Sequence, residues 1–290
     1  MPAIRDEDAS VAEVVRGSLT SLTATERKAA HALLANYPAA GLAPVAEFAE
    51  RAGVSAPSVL RFVAKLGCQG YPDLQRRLRA ELEAQAASPL VKTKGAALAA
   101  ETPHSLADRF AAAAADNLAQ TFRHLPPAEF EAVVELLADR RRGVFLIGGR
   151  FTDSLARYAA AHLGLIRPRV VHVASQVGVW RDHLVDIARR DVMIVFDIRR
   201  YQPDVVEFAR AAARRGAVVV LVTDQWLSPV ARHAEHVLSG RIAVPSRWDS
   251  TVALLALVEA LMAATTERLG DAARARIEEL ERLRQDPEAR

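Results

Sequence analysis

Two adjacent arginines, Arg199 and Arg200, follow the apolar run DVMIVFD (191–197), and a third, Arg150, follows VFLIGG (144–149). A guanidinium presents five donors in a planar fork, so arginines at the ends of buried strands suit a carboxylate or phosphate, gripped through paired charge-assisted bonds. Tyr201, next in sequence, is placed to flank an organic ligand. The same residues also fit a plain solvated turn, with Arg199 and Arg200 facing water or paired to Asp197, Asp153 or Asp204, since exposed charges contribute little by themselves. A second cluster lies between Val54 and Arg79. Five cations, Arg61, Lys65, Arg76, Arg77 and Arg79, face one acid, Asp73, and such a patch suits contact with phosphates.

The elements that must position these groups change character along the chain. LTATERKAAHALLANYP begins with Thr23 and Glu26 three residues apart, a capping box, and sets Ala30, Leu33, Leu34 and Tyr37 on one helical face. PVAEFAERAG follows, with Pro44 suited to the first turn and Gly53 to the left-handed position after the last. Ser55 then caps APSVLRFVAKLG, and Pro72 opens a further helix to about Glu83. Two short helices joined at Gly53-Val54-Ser55 have the layout of a helix-turn-helix, whose second helix enters the major groove of DNA. Val54, Val59, Phe62, Val63 and Leu66 are expected to pack inward, and Pro57, Ser58, Arg61 and Lys65 to face out.

Residues 86–104, rich in Ala, Ser, Lys, Gly and Pro, are expected to form a linker between a DNA-binding domain (1–85) and a second domain (105–290). Helices are expected from Ser105 to His124 and from Pro127 to Arg140. Beyond Gly143, VFLIGG, RVVHV (169–173), DVMIVFD, AVVVLVT (217–223) and EHVLSG (235–240) are short β-branched runs alternating with helical segments. Strands buried on both faces have this composition, so the second domain is expected to be α/β, a five-stranded parallel sheet between helices, closed by a helix from Ser246 to Leu269.

At 290 residues, 51% hydrophobic and 25% charged, the chain has the composition of an ordinary globular protein. The single cysteine, Cys68, cannot form an intramolecular disulfide or a thiolate metal cluster, which fits a reducing cytoplasm; no metal and no cofactor is expected. No signal peptide or membrane span is apparent.

The run LTATERKAAHALLANYP…VAEFAERAGVSAPSVLRFVAKLGCQGYPDLQRRLR, about residues 19–82, resembles the N-terminal domain of RpiR-type bacterial transcriptional regulators, most clearly in its LTxxER opening, in AGVSxxSVLRFxxKLG and in GYPDLQ. The resemblance puts Ser55, Pro57, Ser58 and Arg61 on the recognition helix and Lys65, Gln69 and Tyr71 beside the DNA backbone. It implies a homodimer or homotetramer on a palindromic operator. Residues 128–270 resemble the sugar isomerase (SIS) domain that follows in such regulators, closely so in VTDQWLSPVARHAEHVL (222–238).

Ligands of doubly wound sheets bind where the strand order reverses, beyond the carboxyl ends of strands. The loops after the first and third strands, with Gly148, Gly149, Arg150 and Thr152 and with Asp197, Arg199, Arg200 and Tyr201, are therefore expected to flank an effector, with Ser246, Arg247 and Ser250 of PSRWDST (245–251) over it. Phosphosugar binders of the domain carry Ser, Thr and Gly after the third strand. This loop has none, so a small anionic metabolite held by arginine, a sugar phosphate or a carboxylate, is expected. The alternatives are a phosphosugar isomerase or a phosphosugar-binding protein that does not touch DNA. Isomerisation needs a Glu or His base near the carbonyl, and His162, His172, His183, His233, Glu207 and Glu259 all lie outside the two loops.

Overall fold

The computed structural model describes residues 9–86, 105–174 and 180–286. The N-terminal part is wholly helical: α1 (Val11–Ser18), α2 (Ala24–Ala35), α3 (Val45–Ala52), α4 (Ala56–Lys65) and α5 (Tyr71–Ala86). Thr23 and Glu26 form the expected capping box on α2, and Gly53 closes α3 at φ 62°. The first helix was not anticipated, although Ser10 and Glu13 close a capping box on it too. Leu33, Phe48, Val59, Phe62, Val63, Leu74 and Leu78 make the core of this bundle. Apart from Ala86, which ends α5, the linker expected at 86–104 lies outside the described residues.

The second part contains α6 (Leu106–Arg123), α7 (Pro127–Ala138), β1 (Val144–Gly148), α8 (Asp153–Ile166), β2 (Val170–His172), a single turn α9 (His183–Asp186), β3 (Val192–Asp197), α10 (Pro203–Arg214), β4 (Val218–Asp224), β5 (His236–Gly240), α11 (Val252–Leu269) and α12 (Asp271–Gln285). The five strands are parallel in the order β2-β1-β3-β4-β5, paired from Val144 opposite Val192 and from Val192 opposite Val218. One face is covered by α7, α8, α11 and α12 through Leu137, Leu163, Leu257 with Leu261, and Ala273, the other by α10 through Phe208 and Ala212. Every residue of β1 and β3 is buried, which explains their unbroken apolar runs. α11 begins six residues later than expected: Ser246 accepts from the Trp248 N–H and Ser250 from the Val252 N–H in a loop that precedes it.

The helical part docks onto the sheet domain near β5. Ala12, Leu34 and Tyr37 join the core on the α10 face, and Ala84 packs against the core on the opposite face. Arg16 donates to the Val237 carbonyl at 3.2 Å, and Arg241 pairs with Glu13 at 2.7 Å, both side chains largely buried. Among the described residues no helix is long and apolar enough to cross a membrane.

Candidate functional site

β1 has β2 on one side and β3 on the other, so the strand order reverses between β1 and β3. The loops leaving these two strands flank a cavity of about 670 Å³, within the range of small-molecule sites. Its walls are Gly149, Arg150, Phe151 and Thr152 after β1, Asp197 to Arg200 and Gln202 after β3, and Arg247, Trp248, Asp249 and Thr251 ahead of α11.

The β1 loop is tightly wound. A Cβ on Gly148 would sit 2.4 Å from the Asp153 nitrogen and 2.5 Å from the Thr152 carbonyl, so only glycine lets α8 start this close to the strand. Thr152 is buried; its hydroxyl donates to the Phe196 carbonyl at 2.6 Å and accepts from the Gly149 N–H at 2.8 Å. Across the crevice, the Arg150 N–H donates to the Gln202 side-chain oxygen. The two loops are thus tied to each other, and two backbone donors that would suit a phosphate are already engaged.

Below the cavity lie two buried carboxylates. Asp197 accepts from the Ser228 hydroxyl at 2.5 Å, and burial pushes its carboxyl up to about 7. Asp224 accepts from the Arg199 N–H at 2.5 Å and from the Tyr201 hydroxyl and Trp226 N–H at 2.9 Å; burial raises it to about 6 against the pull of those bonds. Tyr201 was expected to flank the ligand. Its hydroxyl turns to Asp224 instead, and burial followed by the neighbouring Asp224 raises its pKa.

The arginines divide into two kinds. Arg199 has a side chain only 4% exposed. It pairs with Asp249 through two nitrogens, stacks 4.6 Å from the Trp226 ring centroid and donates to the Ala84 carbonyl in the last turn of α5 at 2.6 Å. None of the aspartates first considered is its partner; the one chosen, Asp249, is fifty residues away in sequence. Arg150, Arg200 and Arg247 also line the cavity, and among the described residues none is in an ion pair. Gly148, Ser246 and Ser250 were expected at the ligand but do not line it; Gly148 packs under α8, and the two serines hold the loop before α11. Phe151 and Gln202 belong to the two loops expected to flank the site, whereas Trp248, Asp249 and Thr251 were missed. The last three sit within PSRWDST, where hydroxyls drew attention away from the aromatic and the acid.

No described histidine lines the cavity. His172 meets Asp153 at 2.9 Å, the His162 ring lies tilted 4.3 Å from that of Tyr158, and Glu259 accepts from the Tyr158 hydroxyl. Among the described residues no cluster of His, Cys, Asp and Glu could hold a metal ion.

In the helix pair, Ser55, Pro57, Arg61, Lys65 and Gln69 are exposed along α4 and just beyond it, together with Leu60. Two expectations are corrected. Ser58 is buried, its hydroxyl 2.9 Å from both the Ser55 hydroxyl and an Arg61 nitrogen, so it orients its neighbours from inside. Tyr71 belongs to the core beside Phe48 and donates to the Ala43 carbonyl at 3.0 Å. Lys65 meets Glu26 at 2.7 Å, a bond that holds the Glu26 carboxyl below its usual range.

Residues 9–85 match the model for the helix-turn-helix domain of the rpiR family, and residues 136–264 match the SIS domain. The chain is 26% identical to the HTH-type transcriptional regulator HexR of Pseudomonas aeruginosa over 89% of this chain and 90% of that protein. It resembles the sugar isomerase domain of an RpiR transcription factor from Sphaerobacter thermophilus (28% identity, TM-score 0.59), covering 62% of this chain and 99% of that one. The NanR protein of Vibrio vulnificus, complexed with ManNAc-6P, shares the fold at 18% identity and TM-score 0.53 over 94% of this chain and 97% of NanR.

Proposed function

Since the chain belongs to the rpiR family of helix-turn-helix transcriptional regulators and carries a SIS domain, we propose that it binds a palindromic operator as a homodimer or homotetramer, and that a small anionic metabolite in the SIS cavity alters that binding. One observation carries the reading. Arg199 is at once a wall of the cavity and a ligand to the Ala84 carbonyl of α5, which follows the DNA-reading helix. The last carbonyls of a helix have no partner within it and favour a cation. An anion that competes with Asp249 for this guanidinium would therefore loosen or shift the end of α5. Such coupling requires the anion to bind the two arrangements unequally.

The anion is a sugar phosphate or a carboxylate, gripped by Arg150, Arg200 and Arg247, with Gly149, Thr152 and Asp197 shaping the crevice. NanR, a relative in fold, holds a sugar phosphate. Binding without turnover is favoured, because a base must reach the substrate carbon. Asp249 is neutralised by Arg199, and Asp197 is bonded by Ser228 and Gln202.

On DNA, Arg61 is the base-reading residue, assisted by Ser55 and Pro57, while Lys65 and Gln69 lie near phosphates. Gel shifts on the DNA flanking the chain's own coding region test this, run as a salt series. Arg61→Ala is expected to cost roughly 1–3 kcal/mol and relax preference at particular bases, and Lys65→Ala to weaken all sequences together. A sequence-specific shift unchanged by Arg61→Ala would refute the assignment of Arg61; no shift on any fragment would refute DNA binding.

A further inference from the structure

Phe151 and Trp248 are among the most exposed large apolar side chains of the described residues, 60% and 62% accessible, and both stand in the cavity wall. They come from loops almost a hundred residues apart, yet their ring centroids are 5.9 Å apart at an interplanar angle of 59°. Arg150 extends the arrangement, its guanidinium 5.3 Å from the centroid of Phe151. Ile198, largely buried in the core, adds an aliphatic group to the cavity lining.

The polar groups around them are poorly suited to a polyol. Among the described residues of the lining, Thr152 and Thr251 bear the only side-chain hydroxyls, and that of Thr152 is used in both directions by Phe196 and Gly149. The Gln202 oxygen is occupied by the Arg150 N–H, and Asp249 by Arg199. Each hydroxyl of a bound sugar needs a donor or acceptor, and one left facing an aromatic wall loses its hydration without replacement. Arg150, Arg200 and Arg247, in no ion pair among the described residues, can by contrast hold a planar carboxylate and also stack on a flat ring.

We propose that the cavity is selective for a flat, largely apolar carboxylate, an aromatic or conjugated acid. Its ring lies against Phe151 and Trp248, and its carboxylate is held by Arg150, Arg200 and Arg247. This rests on the reading of the cavity as an anion sensor and narrows the class of anion.

Isothermal titration calorimetry on the full chain, with cinnamate, benzoate, glucose 6-phosphate and inorganic phosphate, tests it. Cinnamate or benzoate is expected to bind at least about tenfold more tightly than glucose 6-phosphate. Trp248→Ala is expected to weaken the aryl acids about tenfold, from lost ring contact and apolar burial, with phosphate changed less than about twofold. Trp248→Phe is expected to restore most of the difference, separating ring contact from any general damage. Arg247→Ala is expected to weaken every anion. Glucose 6-phosphate binding as tightly as either aryl acid, or an aryl affinity unmoved by Trp248→Ala, would overturn the ligand class and leave anion sensing intact. No binding by any of the four would remove both.

Discussion

Arg199 and Asp197 show how one side chain can serve both stability and signalling. Arg199 and Asp249 have side chains 4% and 17% exposed, so removing one partner strands the other in a low-dielectric site. Arg199→Ala is expected to cost roughly 3 kcal/mol, and its combination with Asp249→Ala clearly less than the sum of the single changes. Urea unfolding of the four proteins measures this; strict additivity would mean that the pair is unimportant. Asp197 acts through protonation. Its carboxyl is raised from 3.8 to about 7, so between those values the folded chain holds a proton that the unfolded chain has lost. Stability from this group is present at low pH and is lost as pH rises through about 7. Asp197→Asn is expected to gain at least about 1 kcal/mol on the native protein between pH 5 and pH 8, since each pKa unit corresponds to about 1.36 kcal/mol. Parallel stability profiles would contradict it. The arginine loop was legible in the sequence as a cationic strand end, but its partner was not: Asp249 and the Ala84 carbonyl are brought to Arg199 only by the fold.

Elements with local causes were the easiest to read. The capping box of α2, the left-handed Gly53 after α3 and the β-branched runs of β1, β3 and β4 act within a few residues, and the structure matches them closely. The start of α11 was misread because Ser246 resembles a cap, whereas the helix begins after Thr251, which makes no side-chain capping bond. Ser58 and Tyr71 were misplaced for a related reason. Each is polar, but Ser58 has neighbours on both sides to satisfy its hydroxyl, and Tyr71 has a carbonyl at the edge of the core. The turn between β1 and α8 offers a direct check on element packing. Gly148→Ala drives a methyl into backbone atoms that cannot yield, at 2.4–2.5 Å. A loss of roughly 1–3 kcal/mol is expected in thermal unfolding, with weakened anion binding as the Thr152 tie to β3 shifts. An unchanged melting temperature would show that the loop has room that its geometry denies.

At the scale of the whole molecule, the helical and sheet domains share buried contacts: Arg16 on the Val237 carbonyl, Arg241 on Glu13, and Ala12, Leu34, Tyr37 and Ala84 within the sheet-domain cores. Two domains were foreseeable from the switch in periodicity; their docking was not, since it joins residues more than two hundred positions apart through single side chains. This joint is where occupancy of the cavity can reach DNA. The most direct test is operator affinity by fluorescence anisotropy, with and without a saturating amount of the tightest-binding acid among the four anions, in the native protein and in Arg199→Met. The expected result is a ligand-induced change of about fivefold or more in the native protein, and its loss in Arg199→Met even when calorimetry shows the variant fully occupied. An equal ligand-induced change in both proteins would contradict transmission through Arg199.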